Sequence, residues 1–208
     1  MTAYLSDITD FIAMHPRYAA WAVFGLAFSE AIPIVGTVVP GSTLIVAISA
    51  LAIEADISPW LLLAAATLGA IMGDGASFWL GQCCHRQILQ RWPLNQFPRL
   101  IVRSEAFFDR YGAASVFLAR FTAVVRAFVP LIAGIVQMPA RQFYLANILS
   151  AIVWAPAHVF PGVVFGVLVS LAGARPEQVF ILAVAAMLLG VAVVRAGRYF
   201  FKRGVSSE

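Results

Sequence analysis

Arg120 and Arg126 stand in one of the most apolar stretches of the chain, Ser115 to Gly134, and that stretch holds no acidic residue. A charge at mid-bilayer costs about 2.5–3.5 kcal/mol on insertion scales, so two in one segment require internal partners, an aqueous cavity or an anionic ligand. A guanidinium is planar, keeps its charge where hydration is poor and binds phosphate through two parallel N–H bonds. The chemistry expected of Arg120 and Arg126 is therefore capture of an anionic, phosphate-like headgroup.

Two carboxylates complete the set of ionisable residues inside apolar sequence, Glu30 and Asp74, and the four formal charges cancel. Burial favours the neutral form of a carboxylic acid and a neighbouring arginine favours the charged form, so an anion arriving at the arginine changes what the acid holds. Glu30 and Asp74 are the expected proton carriers. The competing reading is structural: two buried acid–arginine pairs would pin the fold without any transport, and breaking either would be strongly destabilising.

Spacing constrains the arginines further. Six residues apart on a continuous helix, they would diverge by about 120°, so they share a pocket only if the segment bends or unwinds between them. The residues between them, Phe121 to Val125, include no Gly or Pro. Asp74 follows Gly69, Ala70 and Gly73 and precedes Gly75, small residues that let another helix approach closely. His158 is read as hydrogen-bonded structure, Trp79, Trp92 and Trp154 as interface or packing residues, and the adjacent Cys83 and Cys84 as packing at a helix end.

The elements that must position these residues are membrane helices. Of 208 residues 62% are hydrophobic and 12% charged, with mean hydropathy +0.88, against about 25% charged in a soluble domain. Apolar runs lie at 17–53, 57–82, 112–138, 142–171 and 177–201, and a spanning helix needs about 20 such residues. They predict a single domain over 17–203, between an N-terminal segment at 1–16 and a tail at 204–208. The N-terminus carries Asp7 and Asp10, with Arg17 its only basic residue, which is not the form of a secretory leader.

Arginines at 86, 91, 99, 103 and 110, and the basic residues Arg195, Arg198, Lys202 and Arg203, predict a cytoplasmic 85–110 segment and a cytoplasmic C-terminus. The net charge of +4 follows from this clustering beside spans, so nucleic acid is not an expected partner. With 57–82 crossing inward and 142–171 outward, the run 112–138 must begin and end on the cytoplasmic side. It is predicted to be a re-entrant hairpin interrupted by Pro130 and Gly134, with Pro139 after it. A second hairpin, over 30–53, is predicted to enter from the outer side, with Pro33, Gly36, Pro40 and Gly41 as its breakers and Glu30 at its mouth. The fold class is thus an all-α polytopic membrane protein with two opposed re-entrant hairpins packed among transmembrane helices, in the manner of an inverted repeat.

One ordered set of residues adds an independent indication. It runs through Glu30, Pro40-Gly41-Ser42, Gly69 to Gly73-Asp74, Phe107-Phe108 with Arg110-Tyr111-Gly112, Arg120-Phe121, Arg126, Pro130, Ala133-Gly134, Phe143, Asn147 and Trp154. In this set the chain resembles the DedA family, whose shared region is also called the SNARE-associated or VTT domain. The resemblance implies two opposed re-entrant hairpins, proton-motive-force-dependent lipid transport, and functional roles at Glu30, Asp74, Arg120 and Arg126. Two positions depart from the family pattern: Ala123 stands where a proline is usual, and Ser42 where many relatives carry Glu. The second departure leaves the proton route resting on Glu30 and Asp74.

The function expected is a flippase for an anionic lipid phosphate, undecaprenyl phosphate first, in the bacterial cytoplasmic (inner) membrane. The alternatives are a phospholipid flippase or scramblase, a small-cation/proton antiporter with the carboxylates as ion site, and a non-transporting assembly factor. Lacking a nucleotide loop, a metal-ligand cluster or a nucleophile–base motif, the sequence predicts no enzyme activity, no metal and no cofactor. Its partners are expected to be membrane lipid and protons, with homo-oligomerisation left open.

Overall fold

The computed structural model describes residues 16–33, 35–38, 40–53, 55–84, 94–96, 98–122 and 126–171. The expectations for Arg86, Arg91, Trp92, Ala123 and the runs 1–15 and 172–208, including the apolar run 177–201, lie outside the described residues. Those described form helices and turns, with no β-strand among them. The α-helices among the described residues are α1 (Pro16–Glu30), α2 (Val35–Val38), α3 (Gly41–Leu51), α4 (Pro59–Cys84), α5 (Pro98–Tyr111), α6 (Ala114–Ala119), α7 (Val129–Ile135) and α8 (Ala140–Leu171), with one 3-10 turn at Leu94–Gln96.

Only α4 and α8 are long and apolar enough to cross a membrane among the described residues. Their outward faces carry Leu68, Met72 and Trp79 on α4 and Ile152, Val164 and Leu168 on α8, all exposed, as lipid-facing surfaces do. The remaining apolar sequence is divided into shorter pieces. In the first half α1 stops at Glu30, Ala31 and Ile32 close two tight turns back to Phe28 and Ser29, and Pro33 supplies no N–H to continue the helix. Gly36 is required there, since a Cβ would lie 2.0 Å from the Glu30 carbonyl oxygen. After Pro40 the chain restarts as α3, whose first residue, Gly41, lies against Leu26 and the Glu30 side chain.

The second half is broken at a different point from the one its glycine suggests. α6 ends at Ala119, Phe121 and Thr122 close tight turns back to Leu118 and Ala119, the chain turns again at 126–128, and α7 begins at Val129. Pro130 occupies the first turn of α7, where its missing N–H costs nothing. Gly134, expected as an interruption, lies inside α7 and is a packing residue instead. A Cβ there would stand 2.1 Å from the Phe78 carbonyl oxygen, and Gly81 opposite meets Leu131 in the same way at 2.2 Å.

Both halves finish alike. Asp56 (φ 49°) and Gln137 (φ 58°) take left-handed conformations after α3 and α7. Six-residue closures follow, Ile57 N–H to Ala52 O at 2.9 Å and Met138 N–H to Ala133 O at 3.0 Å, the helix-ending motif that satisfies orphan carbonyls. A proline at 59 or 139 then opens the long helix. Each long helix receives the short arm of the opposite half. Gly81 lies 22 residues after Pro59 and packs on α7, while Gly162 lies 22 residues after Ala140 and packs on Val46 of α3. In addition, Gly69 and Gly73 bring α4 onto the Phe24 and Phe28 carbonyls of α1, the close approach predicted for that small-residue stretch.

One apolar cluster joins α1, α3, α4 and α8 through Val23, Ala27, Ile45, Leu62, Ala66 and Val159. A second joins α4, α6, α7 and α8, with Phe78 and Phe143 stacked at 4.0 Å. The two broken regions are thereby held between the same pair of long helices.

Candidate functional site

Four residues singled out by the cost of burying charge meet as two ion pairs. Arg120, in the first residue beyond α6, donates from Nη2 to Asp74 of α4 and to Asn147 Oδ1 of α8, and from Nε to Ser150 Oγ at 2.9 Å. The receiving groups are themselves fixed. Asn147 Nδ2 donates to the Ile71 carbonyl at 3.1 Å, and Ser150 Oγ donates to the Asn147 carbonyl at 2.8 Å. The Arg120 side chain is only 3% exposed, and its whole Nε–Nη2 edge, three of the five guanidinium N–H groups, is bonded inside the protein.

Arg126 is bonded on one side only. Its Nη1 donates to Glu30 Oε1 at 2.9 Å and lies 3.5 Å from Ser42 Oγ, while the Ser42 hydroxyl donates to the same Glu30 oxygen. Nε and Nη2 make no hydrogen bond among the described residues, and the side chain is 14% exposed. This pair ties the break after α6 to the break after α1, across 96 residues of sequence. Glu30 Oε2 is buried without a hydrogen-bond partner among the described residues, a costly state for a carboxylate oxygen. Gly41 makes room for it, since a Cβ would lie 2.8 Å away.

Trp154 underlies both pairs. Its indole, 1% exposed, has the Arg120 Cζ at 5.8 Å and the Arg126 Cζ at 5.3 Å from the ring centroid, within the range of cation–π attraction. With α6 ended at Ala119 and turns at 121–122 and 126–128, both guanidiniums reach one plate, which a continuous helix would not allow residues six apart. Trp154 therefore belongs to the site, beyond the packing role read from sequence. His158 is satisfied locally, with Nδ1 at 2.9 Å from the Trp154 carbonyl and its ring against the indole.

Ser42, Asn147 and Ser150 are site residues that polarity alone did not reveal. Asn147, Ser150 and Trp154 follow the i, i+3, i+7 spacing of one helix face, a signal present in an otherwise apolar run. Ser42 supplies a hydroxyl where the family pattern suggested a lost carboxylate. Of the expected hairpin breakers, Pro33, Pro40 and Gly41 lie at the Glu30 break, Pro130 opens α7, and Gly134 packs on α4. Cys83 and Cys84 close α4 without forming a disulfide, Cys83 exposed. Among the described residues no group of His, Cys, Asp and Glu is arranged to hold a metal ion.

The arrangement gives the two arginines unequal chemistry. Through its Nε–Nη2 edge Arg120 can take a new anion only by giving up Asp74, Asn147 or Ser150. Arg126 keeps its Nε–Nη2 edge, the edge that grips phosphate or carboxylate through two parallel bonds, beside a carboxylate with one unbonded oxygen.

A family model described as the VTT domain matches residues 39–164. Inner membrane protein YabI of Escherichia coli (strain K12) is 31% identical over 160 residues, covering 76% of this chain and 63% of YabI. A Synechocystis sp. protein named uncharacterized membrane protein slr0232 is 36% identical over 146 residues, 69% of this chain and 65% of its own length. Protein DedA of Escherichia coli (strain K12) is 27% identical over 156 residues, covering 72% and 71%. The chain thus spans just under two thirds of YabI and slr0232. No solved structure matches it.

Proposed function

This chain belongs to the VTT-domain family of DedA membrane proteins, and we propose that it carries an anionic lipid phosphate, undecaprenyl phosphate, across the bacterial cytoplasmic membrane in exchange with proton movement. The observation that carries this reading is the open Nε–Nη2 edge of Arg126 beside the unbonded Oε2 of Glu30. A phosphate monoester accepts from both N–H groups of that edge, and the indole of Trp154 backs the guanidinium. A proton on Glu30 Oε2 offsets the negative charge that the phosphate brings and frees Arg126 to follow the lipid. Arg120, Asp74, Asn147 and Ser150 hold the second broken segment against α4 and α8 while this happens. No covalent step is part of the proposal.

In this reading the two broken segments are re-entrant hairpins that enter from opposite faces and touch at Arg126 and Glu30, so the site lies near the bilayer midplane between two inverted halves. Similar exits after Asp56 and Gln137, and the crosswise packing at Gly81 and Gly162, support that symmetry. Both the 85–110 segment and the C-terminus then face the cytoplasm.

The test is reconstitution in vesicles, following labelled polyprenyl phosphate beside labelled phospholipid with and without a pH gradient. Gradient-dependent flipping of the polyprenyl phosphate is expected in the wild type. Arg126→Lys keeps the charge and loses the fork, and its rate should fall at least about tenfold, equivalent to roughly 1.4 kcal/mol. Equal movement of phospholipid would make the protein a phospholipid scramblase or flippase. Movement of neither lipid would end the transport reading.

A further inference from the structure

α5 is a separate feature of the molecule, with an apolar side that is well accounted for. Ile101 and Phe108 pack into a cluster with Phe128, Leu131, Ile132 and Ile135, and Gly112, in a left-handed conformation with its N–H on the Phe108 carbonyl at 2.7 Å, ends the helix. The opposite side is exposed and carries Arg99, Arg103 and Arg110. At about 100° per residue these three fall within roughly 40° of one another, in a stripe about 16 Å long. Asp109 lies about 80° from Arg99 around the helix, beside the stripe and outside it. None of the three arginines makes an ion pair or a side-chain hydrogen bond among the described residues, and Arg110 stacks on the ring of Tyr111 at 5.4 Å.

The depth of α5 is set by its support. It rests on α7, and α7 meets α4 at Gly81, three residues before α4 ends. α5 therefore lies at the level where a membrane-crossing helix leaves the apolar layer. An amphipathic helix at that level, with exposed Val102 and Ala106 on one flank of an arginine stripe and Tyr111 on the other, has the composition of an interfacial helix.

We propose that the Arg99–Arg103–Arg110 face of α5 docks the phosphate headgroups of anionic phospholipids in the membrane around the protein, at a surface distinct from the Arg126 site. Charge complementarity selects this occupant: three guanidiniums in line, with no ion pair among the described residues, meet a plane of phosphodiesters, and the flanking apolar side chains match the boundary beneath the headgroups. This surface requires only that the chain sits in a membrane, and holds whether or not Arg126 carries a lipid phosphate.

The experiment measures thermal unfolding of the full chain in nanodiscs of phosphatidylcholine and in nanodiscs of equimolar phosphatidylcholine and phosphatidylglycerol. The wild type should melt higher with phosphatidylglycerol, and the difference should shrink as salt is raised. The triple variant Arg99→Gln, Arg103→Gln, Arg110→Gln should lose most of that difference while melting like wild type in phosphatidylcholine alone. Arg126→Gln should retain it, which separates this surface from the transport site. If the triple variant does not fold, Arg103→Gln alone decides by the same comparison. An undiminished difference in either stripe variant overturns the proposal. So does an equal response to inorganic phosphate at matched ionic strength, or no response to phosphatidylglycerol in the wild type, which would leave the stripe to a soluble acidic partner.

Discussion

Arg120 and Arg126 share one indole, one broken segment and an acidic partner each, yet the first is bonded to three side chains and the second leaves half its guanidinium open. The difference comes from what stands opposite. Arg120 leaves the end of α6 facing a polar patch built by two long helices, where Asp74, Asn147 and Ser150 are already oriented by backbone carbonyls or packing. Arg126 faces the other break, where Glu30 and Ser42 are its hydrogen-bonding partners among the described residues. A buried ion pair on rigid helices acts as an anchor, whereas one between two chain breaks can open without dismantling a helix contact. The structural and functional readings of the charges thus divide between the two pairs.

The largest expected effect tests this division directly. Arg120→Ala strands the Asp74 carboxylate and should destabilise by about 3–5 kcal/mol, lowering the melting temperature on the order of 10 °C. Arg126→Ala leaves Glu30 with the Ser42 hydroxyl still donating to it and should cost about 1–2 kcal/mol of stability while abolishing lipid movement. Melting curves in detergent, read with the vesicle assay, check both. Equal destabilisation would mean that both pairs are anchors, and the contrast drawn between them would fail.

A smaller effect sharpens the same contrast at the acids. Asp74→Asn keeps an acceptor for Arg120 but loses the charge-assisted bond, and should cost about 1.5–3 kcal/mol of stability with transport per folded molecule preserved. Glu30→Gln should melt within about 1 kcal/mol of wild type and lose the response of transport to a pH gradient. If Asp74→Asn instead removes the gradient response, the proton runs through the anchored pair.

The four charges were legible in the sequence because a charge inside an apolar run is costly wherever the run ends up. Their pairing was not, since it joins residues 46 and 96 positions apart. The end of α6 at Ala119 was also hidden: the visible breakers, Pro130 and Gly134, lie downstream of it, and tight turns take over from the helix where two guanidiniums reach one tryptophan. Gly134 was misread because glycine serves both to end helices and to let them touch, and only the facing Gly81 distinguishes the two uses. Close packing of α4 through Gly69 and Gly73 was readable because the small residues recur one helical turn apart.

The smallest expected effect concerns the two serines, one in each pair. Ser150 accepts from Arg120 Nε and donates to the Asn147 carbonyl in a fully buried position, so Ser150→Ala leaves a buried guanidinium N–H unbonded. That should cost about 1–3 kcal/mol, a fall of roughly 2–12 °C in a protein of this size, with transport per folded molecule unchanged. Ser42 donates to Glu30 Oε1, which Arg126 still holds after Ser42→Ala. The carboxylate keeps one donor, the fold loses about 0.5–1.5 kcal/mol, and the measurable change should be a few-fold shift in lipid transport as Glu30 and Arg126 lose the hydroxyl that fixes their geometry. Ser42→Thr, which retains that hydroxyl, should restore most of the rate. Measured together, the serines give opposite signatures, stability at 150 and rate at 42. If Ser42→Ala lowers melting more than Ser150→Ala and leaves the rate alone, the Glu30–Arg126 pair is the anchor and the assignment of the two arginines must be exchanged.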